Sequence, residues 1–309
     1  MPQTAILLMG PTASGKTELA ISLCKRFPCD VISVDSALVY RGMDIGTAKP
    51  DAETLARTPH RLVDIRDPED SYSAGEFVRD AYREMDEIFA AGRIPLLAGG
   101  TMMYFRALTA GIAELPAADD ELRRAIDTEA AERGWPAMHE DLQAVDPGAA
   151  QRIKPNDRQR IQRALEVYRA SGRPLSEWQR DSAPMRDDIL YLKIGLNIEP
   201  RSILHERIAK RLNLMVDGGF VEEVARLRER AGLTAASPAM RSVGYRQFWE
   251  YLDGRCSLEE ARNKALYATR QLAKRQITWL RSETEVFLAN PLEADAIGAI
   301  SRFLAKSVC

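Results

Sequence analysis

The sequence predicts an α/β fold built on a parallel sheet, and three observations predict it. Apolar runs and helical patterns alternate over roughly the first 115 residues, the order of successive βα units. A glycine-rich loop sits between the first apolar run and the first helical stretch. After about Gly111 the strand-like runs stop and helical periodicity takes over.

Taken in order, residues 4–9 (TAILLM) form a short apolar run, followed by a turn and a helix-friendly stretch at 16–25. A second run, 30–34, ends in Asp35. Residues 60–65 (HRLVDI) make a third candidate strand, a helical pattern spans 74–90, and 94–98 reads as a strand leading into Gly99, Gly100 and Thr101. Such alternation implies a doubly wound parallel sheet flanked by helices. From Pro116 to Arg180, proline and glycine punctuate helical periodicity with almost no β-branched run, so a helical insertion is expected over 116–185. A strand at 189–195 would return the chain to the sheet, with helices from about Arg201 onward. The expected organisation is a core from residues 1–115 and 186–309 with the insertion between.

Composition narrows the classes. Hydrophobic residues make up 45% and charged residues 28%, without low-complexity tracts, which excludes a disordered or fibrous chain. The N-terminal apolar run is too short to span a bilayer and leads into the glycine-rich loop, so a soluble, cytoplasmic protein is expected, without contact to a membrane. Cys24, Cys29, Cys256 and Cys309 lack metal-type spacing, as do His60, His139 and His205, so neither disulfides nor structural zinc are expected. Net charge is −2, so any nucleic-acid site must be a local concentration of Lys and Arg.

The strongest chemical signal is Gly10-Pro11-Thr12-Ala13-Ser14-Gly15-Lys16-Thr17, which fits the G-x-x-x-x-G-K-[ST] phosphate-binding loop at every fixed position. Its backbone N–H groups and the helix N-terminus can cradle phosphate oxygens, Lys16 can reach the terminal phosphate, and Thr17 can offer a hydroxyl to Mg²⁺. A P-loop NTPase-like core is therefore the expected fold. NTP-hydrolysing enzymes and kinases commonly carry a strand ending in a metal-holding acid, whereas 94–98 ends in Gly-Gly-Thr; Val34-Asp35 and Val63-Asp64 are the available substitutes. By residue type alone, Asp35 reads equally as a general base, a helix N-cap or a metal ligand, and Thr101 as a ligand contact or a helix cap.

Three stretches, GPTASGKT at 10–17, VISVDSALVYRGMDIGTAKP at 31–50 and LLAGGTMMYFRAL at 96–108, resemble consecutive signature segments of the tRNA dimethylallyltransferase family. NDRQRIQRALE at 156–166, MRSVGYRQF at 240–248 and TRQLAKRQITWLR at 269–281 are similar to that family's tRNA-contacting segments, so the resemblance covers nearly the whole chain. It implies that the loop holds dimethylallyl diphosphate rather than ATP, with Mg²⁺ bridging it. It also implies transfer of the dimethylallyl group to N6 of the adenosine 3′ of the anticodon, in tRNAs reading codons that begin with U. Asp35 is then the implied general base, Thr101 a contact to the diphosphate or the adenosine, and Arg123 a residue near the tRNA. Further implied contacts to the anticodon stem-loop are Ser36, Ala37 and Leu38; Gln159, Arg160, Ile161, Gln162 and Arg163; Met240, Arg241, Ser242, Val243, Gly244 and Tyr245; and Lys274, Arg275, Gln276 and Trp279. Eukaryotic members carry a C-terminal zinc finger, and its absence suggests the shorter bacterial form, expected to be a monomer.

The residues themselves support basic surfaces at two places. Asn156 and Gln159 resemble a capping box opening a helix with the apolar face Ile161, Ala164, Leu165 and Tyr168, and its other faces carry Arg158, Arg160, Arg163 and Arg169. Ser257 and Glu260 form a second capping box, and the helix that follows presents Arg262, Lys264, Arg270, Lys274, Arg275 and Arg281. Gln271, Gln276 and Trp279 interleave these cations, a mixture suited to RNA, while Leu272, Ile277 and Leu280 read as core. Arg241 and Tyr245 could hold a phosphate and stack on a base. A solvated helix looks similar, and the competing functional readings are a small-molecule kinase with a lid arginine and a GTPase-like RNA-binding module, the latter without an N-K-x-D segment.

Overall fold

A computed structural model describes residues 3–113, 115–117, 119–181 and 186–308. The chain begins β1 (Gln3–Met9), α1 (Lys16–Cys24), β2 (Cys29–Val34), α2 (Ala52–Arg57), β3 (His60–Arg61), α3 (Ala74–Ala90), β4 (Ile94–Gly99) and α4 (Met102–Ala110). It continues through α5 (Asp120–Arg133), α6 (Trp135–Val145), α7 (Pro147–Ala150), α8 (Arg158–Ser171) and α9 (Leu175–Arg180). It ends with β5 (Ile189–Leu196), α10 (Arg201–Asp217), α11 (Phe220–Arg228), α12 (Tyr245–Leu252), α13 (Leu258–Ser282), β6 (Val286–Ala289) and α14 (Ala296–Val308). No helix among the described residues is long and apolar enough to cross a membrane.

The strands form one parallel sheet in the order β3-β2-β4-β1-β5-β6. A central strand covered on both faces must be apolar throughout, and Ala5 to Met9 of β1 are all buried. One face is closed by Leu19 and Leu23 of α1 with Ile300 and Leu304 of α14, packed on Ile6, Leu8, Leu96 and Ile194. The helix α3 starts at a capping box between Ser73 and Glu76 and buries Phe77, Ala81, Met85 and Ile88 at helical spacing. Register decides where the site lies. Met9 and Val34 both pair with Gly99, so the chain leaves β1, β2 and β4 at one edge of the sheet, where open α/β sheets bind ligands.

Two strands differ from the sequence reading. The run at 60–65 contributes only His60 and Arg61 to the sheet, because Leu62 and Asp64 adopt left-handed backbone (φ 61° and 55°) and the Ile65 N–H turns to the Val39 carbonyl. The edge strand β6 was not anticipated: its four residues, three half-buried and one exposed, carry too short a pattern to read.

Among the described residues two compact units are present, one taking the chain up to Arg106 and from Arg186 onward, the other beginning at Ala107. The expected insertion edge at residue 185 and Cys309 lie outside the described residues. The second unit has its own core of Ile126, Met138, Leu142, Ile161, Leu165 and Val167. Its helix α8 is capped by Asp157, whose carboxylate accepts the Arg160 N–H, and not by the expected Asn156–Gln159 box. The buried Glu166 accepts the Asp119 N–H at 2.9 Å and pairs with Arg123 at 3.1 Å and Arg163 at 3.0 Å.

Burial opposes ionisation of Glu166, but the Asp119 N–H and the two guanidiniums outweigh it and hold its carboxyl below the ordinary 4.5. Its ionic contribution is therefore present at neutral pH and lost as pH falls through the carboxylate range. Glu166→Gln is expected to lower stability by about 1–3 kcal/mol at pH 7, with the deficit shrinking below about pH 4. Denaturant titrations at the two pH values check this, and an equal deficit at both would show that the charge is not what stabilises the unit.

Candidate active site

The loop after β1 has the conformation its motif requires. Ala13 (φ 63°) and Gly15 (φ 90°) lie in the left-handed region, which turns successive N–H groups toward one point. Helix α1 opens at Gly15 without a side-chain cap, leaving its first N–H groups available to an anion. Within the loop Ser14 is fully buried, and its Oγ has no hydrogen-bond partner among the described residues.

Gln276 of α13 ties this loop to the end of β4. Its Oε1 accepts the Thr12 N–H at 2.9 Å and its Nε2 donates to the Gly100 carbonyl at 2.8 Å. A side chain at residue 100 would collide with that amide, and one at residue 99 with the Val34 carbonyl, so the Gly-Gly pair is dictated by close approach. Gln276 is thus buried and engaged, and cannot read a base edge as its place in the basic segment suggested.

Thr101 follows. Its Oγ1 accepts the Ser36 N–H at 3.1 Å, joining the ends of β4 and β2. Asp35 turns Oδ1 onto the Ala37 N–H at 2.8 Å and the Leu38 N–H at 3.4 Å, so one carboxylate oxygen fixes the loop while Oδ2 accepts no hydrogen bond among the described residues. Ser36 is exposed, and Ala37 and Leu38 are half-buried. Asp64, the alternative acid, is paired with Lys49.

The electrostatics converge on Lys16. Its amine donates to the Pro11 carbonyl at 2.8 Å, and burial lowers it from 10.5 to about 8, with Asp35 pulling it up, Arg211 pushing it down and Glu18 pulling it up. Burial likewise lowers Arg211, against the attraction of Asp35 and Glu18. Arg211 donates to the Thr47 carbonyl at 3.2 Å, and a Cβ on Gly15 would lie 3.6 Å from the Arg207 guanidinium. Arg207 and Arg211 were not singled out in the sequence; their only signal is an i, i+4 spacing on α10.

The segment that carries Thr47 is held by Glu223. Fully buried, its carboxylate accepts N–H groups of Asp44, Ile45 and Gly46 at 2.9, 2.7 and 3.1 Å, and the Tyr245 hydroxyl at 2.6 Å. Burial, then Glu223, pushes the Tyr245 phenol well above its ordinary value. The Tyr245 ring packs edge-on against Phe220 at 4.9 Å, so it is not free to stack on a base. Met240 and Ile161 are also fully buried, which removes them as direct contacts. Gly244 is buried and Ser242 and Val243 are half-buried, while Arg241 is exposed.

Of the other expected contacts, Gln159 and Arg160 are exposed, the latter paired with Asp157. Gln162 donates to Asp127 and Arg169 pairs with Glu129, so much of the α8 charge is matched within its own unit. On α13, Lys274 and Arg275 are exposed, and the Trp279 ring carries the Arg106 guanidinium 5.7 Å from its centroid.

Among the described residues no group of three or more His, Cys, Asp or Glu could hold a metal. The exposed hydroxyl of Thr17 is the donor the loop presents. This fits Mg²⁺ in the form that keeps several waters and binds largely through substrate phosphates.

The chain matches the IPP transferase family over residues 38–283. It is 54% identical over 304 residues to the tRNA dimethylallyltransferase of Thiobacillus denitrificans, covering 97% of each chain. A crystal structure of the full-length tRNA isopentenylpyrophosphate transferase from Bacillus halodurans shares 35% identity and a TM-score of 0.72, covering 100% of this chain and 97% of that one. A eukaryotic dimethylallyltransferase acting on tRNA aligns with a TM-score of 0.79 at 25% identity, over 99% of this chain and 79% of that one.

A lysine held at about 8 opposes folding below that value, where its charge must be buried, and the penalty fades as pH climbs toward 10.5. Lys16→Met is therefore expected to raise the thermal midpoint at pH 7, with a smaller gain at about pH 9.5. An anion seated in the loop restores the charge, so binding of sulfate, which does not titrate here, should be accompanied by uptake of a proton onto Lys16 between about pH 8 and 9. Calorimetry in buffers of different ionisation enthalpy reads this uptake, and Lys16→Met should lose it.

Proposed function

The chain belongs to the IPP transferase family, and from that premise we propose that it transfers a dimethylallyl group from dimethylallyl diphosphate to N6 of the adenosine 3′ of the anticodon in tRNA. The observation that carries the reading is the meeting of Asp35 with Lys16 and Arg211 at one edge of the sheet: a carboxylate with one oxygen unbonded among the described residues, in electrostatic contact with two cations that burial lowers. That is an acceptor for a proton next to a seat for a leaving diphosphate.

In the proposed mechanism the loop N–H groups, Lys16 and Arg211 bind the diphosphate and stabilise the charge that develops as the C–O bond breaks. Mg²⁺ bound near Thr17 would supply further charge neutralisation to the diphosphate. The adenine leaves its stack to reach this edge. Oδ2 of Asp35 accepts a proton from the amine as the new N–C bond forms, and Oδ1 stays on the Ala37 N–H, so the carboxylate keeps its orientation through the transfer. Thr101, fixed by Ser36, is placed to contact the diphosphate or the adenosine. The exposed Arg241, Lys274 and Arg275, with the helical unit that contains Arg123, are assigned to the tRNA, whose presence in the cytoplasm sets the location.

The test is transfer of radiolabelled dimethylallyl to unmodified tRNA with Mg²⁺ and without ATP. Label in the RNA supports the reading; absence of label together with ATP-dependent phosphorylation of a small molecule would replace it with the kinase. Asp35→Ala is expected to lower kcat by about 10²–10⁴-fold while tRNA affinity is retained. Turnover close to that of the parent would remove Asp35 from the role of base.

A further inference from the structure

A groove of about 300 Å³ runs between α10 and α13. Leu204, Ala273 and Ile277 line its base, and these three belong to the apolar cluster on which Ala13 of the phosphate loop also packs. The groove and the loop therefore rest on one support. Arg201 and His205 on α10 and Tyr267, Arg270 and Lys274 on α13 line the rest with Gln271, and among the described residues no acidic side chain does.

Two of these residues are unusual. Tyr267 leaves 66% of its surface exposed, a large aromatic face held in water. Arg270 is half-buried, and its Nε is cut off from solvent with no hydrogen-bond partner among the described residues. A guanidinium partly withdrawn from water without an acid costs free energy unless an anion comes from outside. Arg123, Arg163 and Arg169 in the second unit differ, each set against a glutamate. An aromatic platform flanked by unpaired cations suits single-stranded nucleic acid, because any base can stack on the ring while adjacent phosphates meet the cations.

We infer that this groove is a subsite for one unpaired nucleotide of the RNA substrate, with its base stacked on Tyr267 and the flanking phosphates held by Arg270 and Lys274. Arg201 and His205 form the facing wall. The inference rests on the proposed function in that the substrate is RNA; it adds a site lined by none of the phosphate-loop residues and a contact made by stacking.

The experiment uses the full chain and a fluorescently labelled, unmodified anticodon stem-loop RNA, with affinity read by anisotropy over a range of salt and each variant's folding checked by its thermal midpoint. Tyr267→Ala is expected to weaken binding about 5- to 100-fold, about 1–3 kcal/mol at 1.4 kcal/mol per tenfold, while Tyr267→Phe stays within about twofold. Arg270→Gln and Lys274→Ala should each reduce the salt slope by about one. Inorganic polyphosphate serves as the second probe, and Tyr267→Ala should leave its affinity unchanged. RNA binding by Tyr267→Ala equal to that of the parent overturns the inference while leaving the proposed function intact. Equal losses for RNA and polyphosphate would reduce the groove to a general anion site and also overturn it. A parent protein that binds no RNA removes the function reading and this subsite together.

Discussion

One side-chain amide holds the site together. Gln276 accepts from the phosphate loop at Thr12 and donates to the backbone at Gly100, so the loop after β1 and the loop after β4 share one rigid strut from α13. The Thr101 hydroxyl then links β4 to the loop after β2, and Asp35 orients itself on that same loop. Gln276 engages both its carbonyl oxygen and its amide nitrogen, as a buried amide must if it is not to cost more than it contributes. Three strand ends thereby behave as one surface, and an arrangement good to a fraction of an ångström is what proton transfer and displacement at carbon demand.

Around that surface the charges are deliberately left unmatched. Lys16 and Arg211 are both lowered, chiefly by burial, and Asp35 and Glu18 are the acids that act on both. The helical unit does the opposite, closing Glu166, Glu129 and Asp127 against its own polar side chains. Structural charges are neutralised where they stand; functional ones are held ready for a ligand's charge, at a cost in stability that the rest of the sheet supplies.

Much of this was legible in the sequence where the cause is local. The apolar runs of β1, β2 and β4, the fixed glycines and Lys16 of the loop, and the Ser257–Glu260 box all act over a few residues, and each is found where the pattern places it. Residues 60–65 carry the same kind of pattern, but a distant hydrogen bond to Val39 bends the chain out of the sheet after Arg61. Tyr245 after Gly244 reads as an exposed stacking residue and is instead sealed by Phe220 and Glu223. Gln276 sits in a basic segment and reads as a base contact, yet its partners lie 264 and 176 residues away. Arg207, Arg211 and Glu223 acquire meaning only once α10 and α11 are docked, and no spacing rule announces that.

The separations in the chain have a consequence for how the protein is made. Glu223 cradles backbone 177 to 179 residues upstream, so the segment around Gly46 has no seat until α11 has emerged from the ribosome. Throughout most of synthesis the nascent chain carries the phosphate-loop motif without the Gln276 strut that holds it or the wall it faces. Contacts of such high order form late and slowly, and the unsatisfied backbone of the 44–46 turn stays exposed meanwhile. Catalytic competence is therefore a property of the last third of translation, and an interrupted chain carries the motif without the machinery.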